Sequence, residues 1–191
     1  KFMKKIFLAV SFMVCLILFF PYSVPMASEE AKYDIVHKTD IYEIRYYSDR
    51  LIIQVTSKDN NSFRKLFNYI SGDNKNSEKI AMTVPVTETK KDGKLFMQFY
   101  LPSKFNKETT PIPTNPDLEI RTIPEGYFAV IQFSGRSSDK NFDKHNKILK
   151  QKLLEDKILI KGFAIKATYN SPFTLPPLRR NEAMFNVDWE N

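Results

Sequence analysis

The sequence predicts an α+β protein built from two strand-helix-hairpin units whose strands share one largely antiparallel sheet with the helices packed on it. The first observation is an internal repeat. TyrGluIleArg at residues 42–45, followed by LeuIleIleGlnVal at 51–55, returns as LeuGluIleArg at 118–121, followed by PheAlaValIleGlnPhe at 128–133. The two GluIleArg triplets stand 76 residues apart. The second observation is that each apolar run is followed by a helical pattern, and the third is that each helix is followed by two more strand-like segments. A repeat of this kind decides the fold more firmly than any single propensity.

The chain begins with a basic start and an apolar run at residues 6–20. That run is shorter than the ~20 residues a membrane-spanning helix needs, and its charge lies on the side a secretory signal requires. Residues 1–27 therefore read as a signal peptide, with Ala27 and Ser28 offering small side chains near the cleavage point; an uncleaved anchor is the alternative. The expected location is periplasmic or secreted. Cys15, the single cysteine, lies inside the leader. Its removal excludes disulfides, zinc-thiolate sites, iron-sulfur clusters and a cysteine nucleophile, and export without disulfides points to a bacterial periplasm or exterior.

The folded domain is expected over residues 33–189. Strand signals run over 33–36 and 42–56, rich in Ile, Val, Tyr and Thr. A helix follows at about 61–70, with Phe63, Phe67 and Ile70 along one face, Leu66 beside them, and Asp59, Asn60 and Asn61 offering capping oxygens. Ser71 and Gly72 end it. Strands at 80–89 and 95–101 join through LysLysAspGly at 90–93. The segment 102–116, with four prolines and no apolar periodicity, reads as an extended surface connection. In the second unit a longer helix is expected at about 138–156. Ser137 or Ser138 with Asp139 starts it, and Phe142, His145, Leu149 and Leu153 share one face. Strands at 162–169 and 183–189 close the pattern.

The formal charge of +7 includes Lys1, Lys4 and Lys5 of the leader, which leaves +4 spread along the domain. Nucleic-acid binding needs a concentrated basic stripe with stacking aromatics, and the lysines here are interleaved with Asp and Glu. His37 and His145 are the two imidazoles, and neither has a metal-ligand spacing. His145 shares a helix face with apolar residues, where ring packing is the default and heme ligation the alternative; His37 reads as a turn histidine. GlyXaaSerXaaGly is absent, five glycines build no phosphate loop, and the acidic pairs fall at solvated positions. These residues make no enzyme.

Two segments are more specific. LysIleAlaMetThrValProValThr at 79–87 and AlaThrTyrAsnSerProPheThrLeuProProLeuArgArgAsnGlu at 167–182 resemble the two signature segments of the SOUL heme-binding protein family. The resemblance implies a strongly twisted, barrel-like sheet flanked by two helices, and a protein that holds heme or another tetrapyrrole reversibly and without catalysis. In that family the proposed heme surface lies on the first helix and on the loop before the last strand, here residues 61–70 and 171–180. A tetrapyrrole is an apolar plate with two carboxylates, so its site needs an apolar platform with a cation at one edge. Phe63 and Phe67 with Arg64 fit that description; burial of both rings in the core is the alternative. In the loop, Phe173 and Leu175 are apolar. Arg179 and Arg180 either pair with propionates or pin the loop to the sheet through Glu182 or backbone carbonyls, and at least one is expected to be structural. One branch of the family carries a histidine, proposed as iron ligand, directly after TyrGluIleArg. Tyr46 stands there in this chain, as a tyrosinate ligand or an ordinary strand aromatic. A second function implied by the family is a protein-interaction module using the second helix, whose outer face carries Lys144, Lys147, Lys150 and Lys152.

Overall fold

The computed structural model describes residues 28–57 and 61–190. The leader 1–27 and the capping candidates Asp59 and Asn60 lie outside these residues. Eleven strands and two α-helices are present among them: β1 (Glu29–Glu30), β2 (Asp34–Lys38), β3 (Glu43–Tyr47), β4 (Arg50–Ser57), α1 (Ser62–Ile70), β5 (Thr83–Val84), β6 (Val86–Lys91), β7 (Lys94–Tyr100), β8 (Leu118–Ile123), β9 (Gly126–Phe133), α2 (Asp139–Glu155), β10 (Ile165–Thr168) and β11 (Asn181–Val187). Nine strands form one antiparallel half-barrel sheet in the order β2-β3-β9-β11-β10-β6-β7-β4-β8. The expected α+β duplication with two flanking helices is the architecture found.

The repeat is visible in the register. Ile44 faces Ala129 and Arg45 faces Phe128 across β3 and β9; 76 residues on, Ile120 faces Ile53 and Arg121 faces Ile52 across β8 and β4. Each unit's first strand therefore pairs in the other unit's half of the sheet. The sequence suggested one continuous strand over 42–56, but the chain turns at Ser48 and Asp49 and β3 crosses away from β4. The two hairpins meet at a central seam, β6 against β10, where Glu88 faces Lys166.

Helices cover one face of the sheet and pack each half separately. Leu66 and Tyr69 of α1 pack on Ile53, Val55, Met97 and Phe99; Leu149 and Leu153 of α2 pack on Ile44, Ala129, Ile131 and Phe185. Strand alternation puts the next residues on the opposite, concave face: Tyr47, Phe128, Val130, Ala167 and Met184, with Arg45 and Glu182 buried among them.

Local chemistry explains the boundaries. Ser138 caps α2 by accepting from the Asn141 N–H at 3.3 Å, with Asp139 in the first turn, as expected. The β6-β7 turn places Asp92 and Gly93 at φ 51° and 69°, the two-residue hairpin geometry that Asp-Gly favours. Pro85 has no N–H to give the ladder, so the strand expected at 80–89 divides into β5 and β6. The segment 102–116 is not a free surface connection. Tyr69 Oη donates to the Pro111 carbonyl at 2.7 Å, Lys75 N–H to the Ile112 carbonyl at 2.9 Å, and Thr110 is buried. Burial pushes the Tyr69 hydroxyl up to about 12, so it stays a donor throughout the physiological range. Finally, β2 extends through His37, and β1, which the sequence did not suggest, pairs in parallel with β5. Among the described residues, no helix is long and apolar enough to cross a membrane.

Candidate functional site

Helix α1 turns Ser62, Leu66, Tyr69 and Ile70 into the core. At 100° per residue, the two flanks of that buried arc carry different chemistry. On one flank Lys65 reaches Asp117 at 2.9 Å, just before the edge strand β8. On the other stand Phe63 and Phe67, 47% and 49% exposed, with ring centroids 6.1 Å apart and planes 14° from parallel. Phe63 also meets Phe99 of β7 edge-on at 5.3 Å. The two rings are thus neither in the core nor loose. They make a half-exposed aromatic wall facing inward along the sheet, and Arg64 is exposed beside them.

The wall and the Pro-rich loop belong to one row of the sheet. Phe99 pairs with Val86, and Val86 pairs with Thr168, the last residue of β10 before the loop. Two strand spacings, about 10 Å, separate Phe99 from the root of the loop. The loop's own bonds hold it rigid. Arg179 donates to the carbonyls of Thr174 at 2.7 Å and Pro172 at 2.5 Å, Arg180 N–H donates to Asn170 Oδ1 at 2.6 Å, and Gly135 N–H donates to the Pro176 carbonyl at 2.8 Å. So braced, the loop leaves Phe173 94% exposed, with Leu175 and Leu178 also outward. Apolar side chains held out on a braced loop, with a half-exposed aromatic wall on the same row, form an exposed apolar surface of the kind that binding sites use.

Arg180 is placed elsewhere in function. Its guanidinium pairs with Glu30 through two bonds of 2.9 and 2.8 Å, bonds Glu182 at 3.0 and 2.8 Å, and stacks 3.7 Å over the Tyr169 ring. Glu182, fully buried, also accepts from Arg45 at 3.1 Å and from Tyr169 Oη at 2.7 Å. Burial and then the Glu182 charge hold the Tyr169 hydroxyl far above the ordinary tyrosine range. Both loop arginines are therefore occupied in holding structure, where the sequence had assigned that role to at least one.

Tyr46 lies on β3, in the half of the sheet that α2 covers, whereas α1 packs on β4 and β7. Its hydroxyl donates to Glu125 Oε2 at 2.6 Å, and that bond holds it above the ordinary tyrosine range. The structure thus does not bring Tyr46 to the Phe63 wall, and its setting favours the phenol over a tyrosinate. His145 packs its ring flat on Phe133, centroids 4.1 Å apart, with Nδ1 2.8 Å from the Asn141 carbonyl. His37 sits against Trp189 at 5.0 Å. Among the described residues, no group of three His, Cys, Asp or Glu is placed to hold a metal ion. Sequence reasoning found Phe63 and Phe67 but missed Val86 and Thr168, the floor between wall and loop. Their alternation was present, yet only the pairing of β6 with β10 makes them neighbours.

Comparison with known proteins agrees with this architecture. The profile of the family described as SOUL heme-binding protein matches residues 28–186. Heme-binding protein 2 of Mus musculus is 30% identical over 177 residues, covering 85% of each chain, and its Homo sapiens counterpart is 32% identical over 161 residues, covering 76% of this chain and 77% of that one. Among solved structures, the C-terminal domain of EcmrR superposes with a TM-score of 0.59 at 12% identity, over 82% of this chain and 98% of that one. A protein from Listeria innocua described as a hydrolase superposes at 0.54 and 11% identity, over 80% of this chain and 94% of that one. At such identities the structural matches speak for the fold alone.

Proposed function

The chain belongs to the SOUL heme-binding protein family, and from that premise we propose that it binds heme or a related tetrapyrrole reversibly, without catalysis, on the surface between α1 and the 171–180 loop. The observation that carries this reading is the stacked, half-exposed pair Phe63 and Phe67, on one sheet row with the root of a braced loop that holds Phe173, Leu175 and Leu178 outward. A flat macrocycle lies against such rings by its face, and exposed Arg64 is the cation at the edge for a propionate. Arg179 and Arg180 shape the loop rather than meet the ligand. The iron is not bonded by Tyr46, which keeps its proton and its Glu125 partner. The basic and apolar start of the chain supports export to a bacterial periplasm or exterior.

Titration with hemin, followed by the Soret band and by quenching of Trp189, tests the reading. Saturable binding at micromolar hemin is expected, and Tyr46→Phe is expected to leave both affinity and spectrum unchanged. Absence of a Soret shift at that concentration excludes the function.

A second reading has its own observation. Beyond the buried face of α2, Leu154 and Leu159 are exposed beside Lys147 and Lys150, a surface suited to an acidic, apolar segment of another protein. Lys147→Glu with Lys150→Glu would abolish capture of such a partner, and an unchanged partner list would exclude this role.

A further inference from the structure

The concave face of the sheet holds a cation that nothing in the heme reading uses. Arg50, the first residue of β4, is 8% exposed and makes no side-chain hydrogen bond or ion pair among the described residues. Its guanidinium is held by aromatic rings instead: 4.1 Å from the Tyr47 centroid, 4.6 Å from Phe128 and 5.6 Å from Tyr100. Ring faces fix the plane of a guanidinium but do not satisfy its N–H groups. The two fully buried nitrogens without a partner are Nε and Nη2. These form one edge of the guanidinium, the fork whose two parallel N–H groups match the two oxygens of a carboxylate. Leaving both donors unmet in the interior is costly, so the arrangement is built for an acceptor that arrives from outside.

An approach exists. Arg50 lines a small pocket of about 10 Å³ with Tyr47, Pro85, Tyr169 and Met184, and also a groove of about 780 Å³ whose walls include Leu51, Tyr100, Leu101, Pro102 and Phe105. Glu30, Ala31 and Tyr100 are common to both. Three of the carboxylates lining the groove are engaged: Glu29 accepts from Ser103 N–H at 2.8 Å, Asp49 from Glu125 N–H at 2.7 Å, and Glu30 holds Arg180; Glu108 lines it too, as do the cations Lys32 and Lys107. With Glu29, Glu30, Asp49 and Glu108 set against Lys32, Lys107 and Arg50, the groove keeps a small excess of negative charge, which repels a dianion about twice as strongly as a monoanion. We propose that Arg50 anchors a second binding site, at the mouth of the half-barrel, for a small apolar monocarboxylate whose head takes the Nε and Nη2 fork and whose body lies in the groove.

The test is a titration of the protein with sodium benzoate, read at the Arg50 Nε–H resonance in ¹⁵N spectra. A saturable shift of that resonance is expected, Arg50→Lys weakens binding by about ten-fold or more, and Phe63→Ser with Phe67→Ser leaves it unchanged because the heme surface is a different one. An Nε resonance unmoved up to roughly 10 mM benzoate overturns the site, leaving the fork to a trapped water. Inorganic phosphate is the second arm: binding as tight as benzoate overturns the assignment to a monocarboxylate. Should Arg50→Lys fail to fold, the wild-type resonance alone decides.

Discussion

Single residues in this protein do either structural or presentational work, and the two are separable by burial. Glu182 is the clearest structural case. It is fully buried and joins Arg45, Arg180 and Tyr169, so that β3, β11 and the end of β10 meet at one carboxylate, with Glu30 of β1 tied on through Arg180. Glu182→Gln would leave the buried Arg45 and the partly exposed Arg180 each short of a partner and is expected to cost about 3 kcal/mol in urea unfolding; a loss under about 1 kcal/mol, the range of an exposed pair, would mean the network is not what holds these strands. Asp139 is the exposed counterpart. Bonds first from Lys90 and then from Lys166 hold its carboxyl below the ordinary aspartate range. A depressed folded value means that the stabilisation is complete above the unfolded aspartate pKa and is lost as pH falls through the lower folded one. Asp139→Asn should therefore lower stability at pH 7 by less than about 1 kcal/mol, given its exposure, and the gap to wild type should close below about pH 4. A gap that persists at pH 2 contradicts the ion-pair account. The structural role of the loop arginines was readable from Glu182 and the carbonyl-rich loop beside them. That Glu30 completes the cluster was not, because the N-terminal segment carries no strand signal and is fixed by tertiary pairing.

At the scale of elements, the two helices show how far periodicity reaches. Helix α2 has an Asp139 start, a serine cap and an apolar face at Phe142, His145, Leu149 and Leu153, and it lies where that pattern puts it. Helix α1 was also legible in extent, but not in orientation. Five apolar or aromatic residues in nine cover too wide an arc for the sequence to say which flank stays outside. The sheet decides, by turning Leu66, Tyr69 and Ile70 inward and leaving Phe63 and Phe67 at the surface. Because those two rings are half-exposed, replacing both with serine should leave the circular dichroism unchanged while weakening hemin binding by about 2 kcal/mol, roughly thirty-fold. Loss of folded signal would show instead that the rings are core. The Pro-rich segment 102–116 misled in the other direction. Its prolines forbid regular structure but not burial, and its carbonyls at Pro111 and Ile112 tie it to Tyr69 of α1 and to Lys75 in the turn beyond.

The whole molecule is one unit because its halves exchange their first strands. β3 pairs with β9 and β8 with β4, so residues 28–116 alone would leave β3 paired on one side only, with β2. The repeat at 76 residues announced two units, while the exchange was hidden, since a strand's partner is not written in its own pattern. Far-UV circular dichroism and Trp189 fluorescence should accordingly unfold in a single coincident urea transition. Two separated transitions would show independent halves. The same exchange brings the two hairpins together at β6 and β10, and this seam sets the α1 wall and the Pro-rich loop on a single row. Family membership makes a tetrapyrrole the expected ligand, and the proposed surface for it lies along this row. The most direct test is a hemin titration of the wild type beside the Phe63→Ser, Phe67→Ser double variant. The account predicts a saturable Soret shift at micromolar hemin that the variant, still folded, shows only at far higher concentration; equal affinity in the two proteins would contradict it.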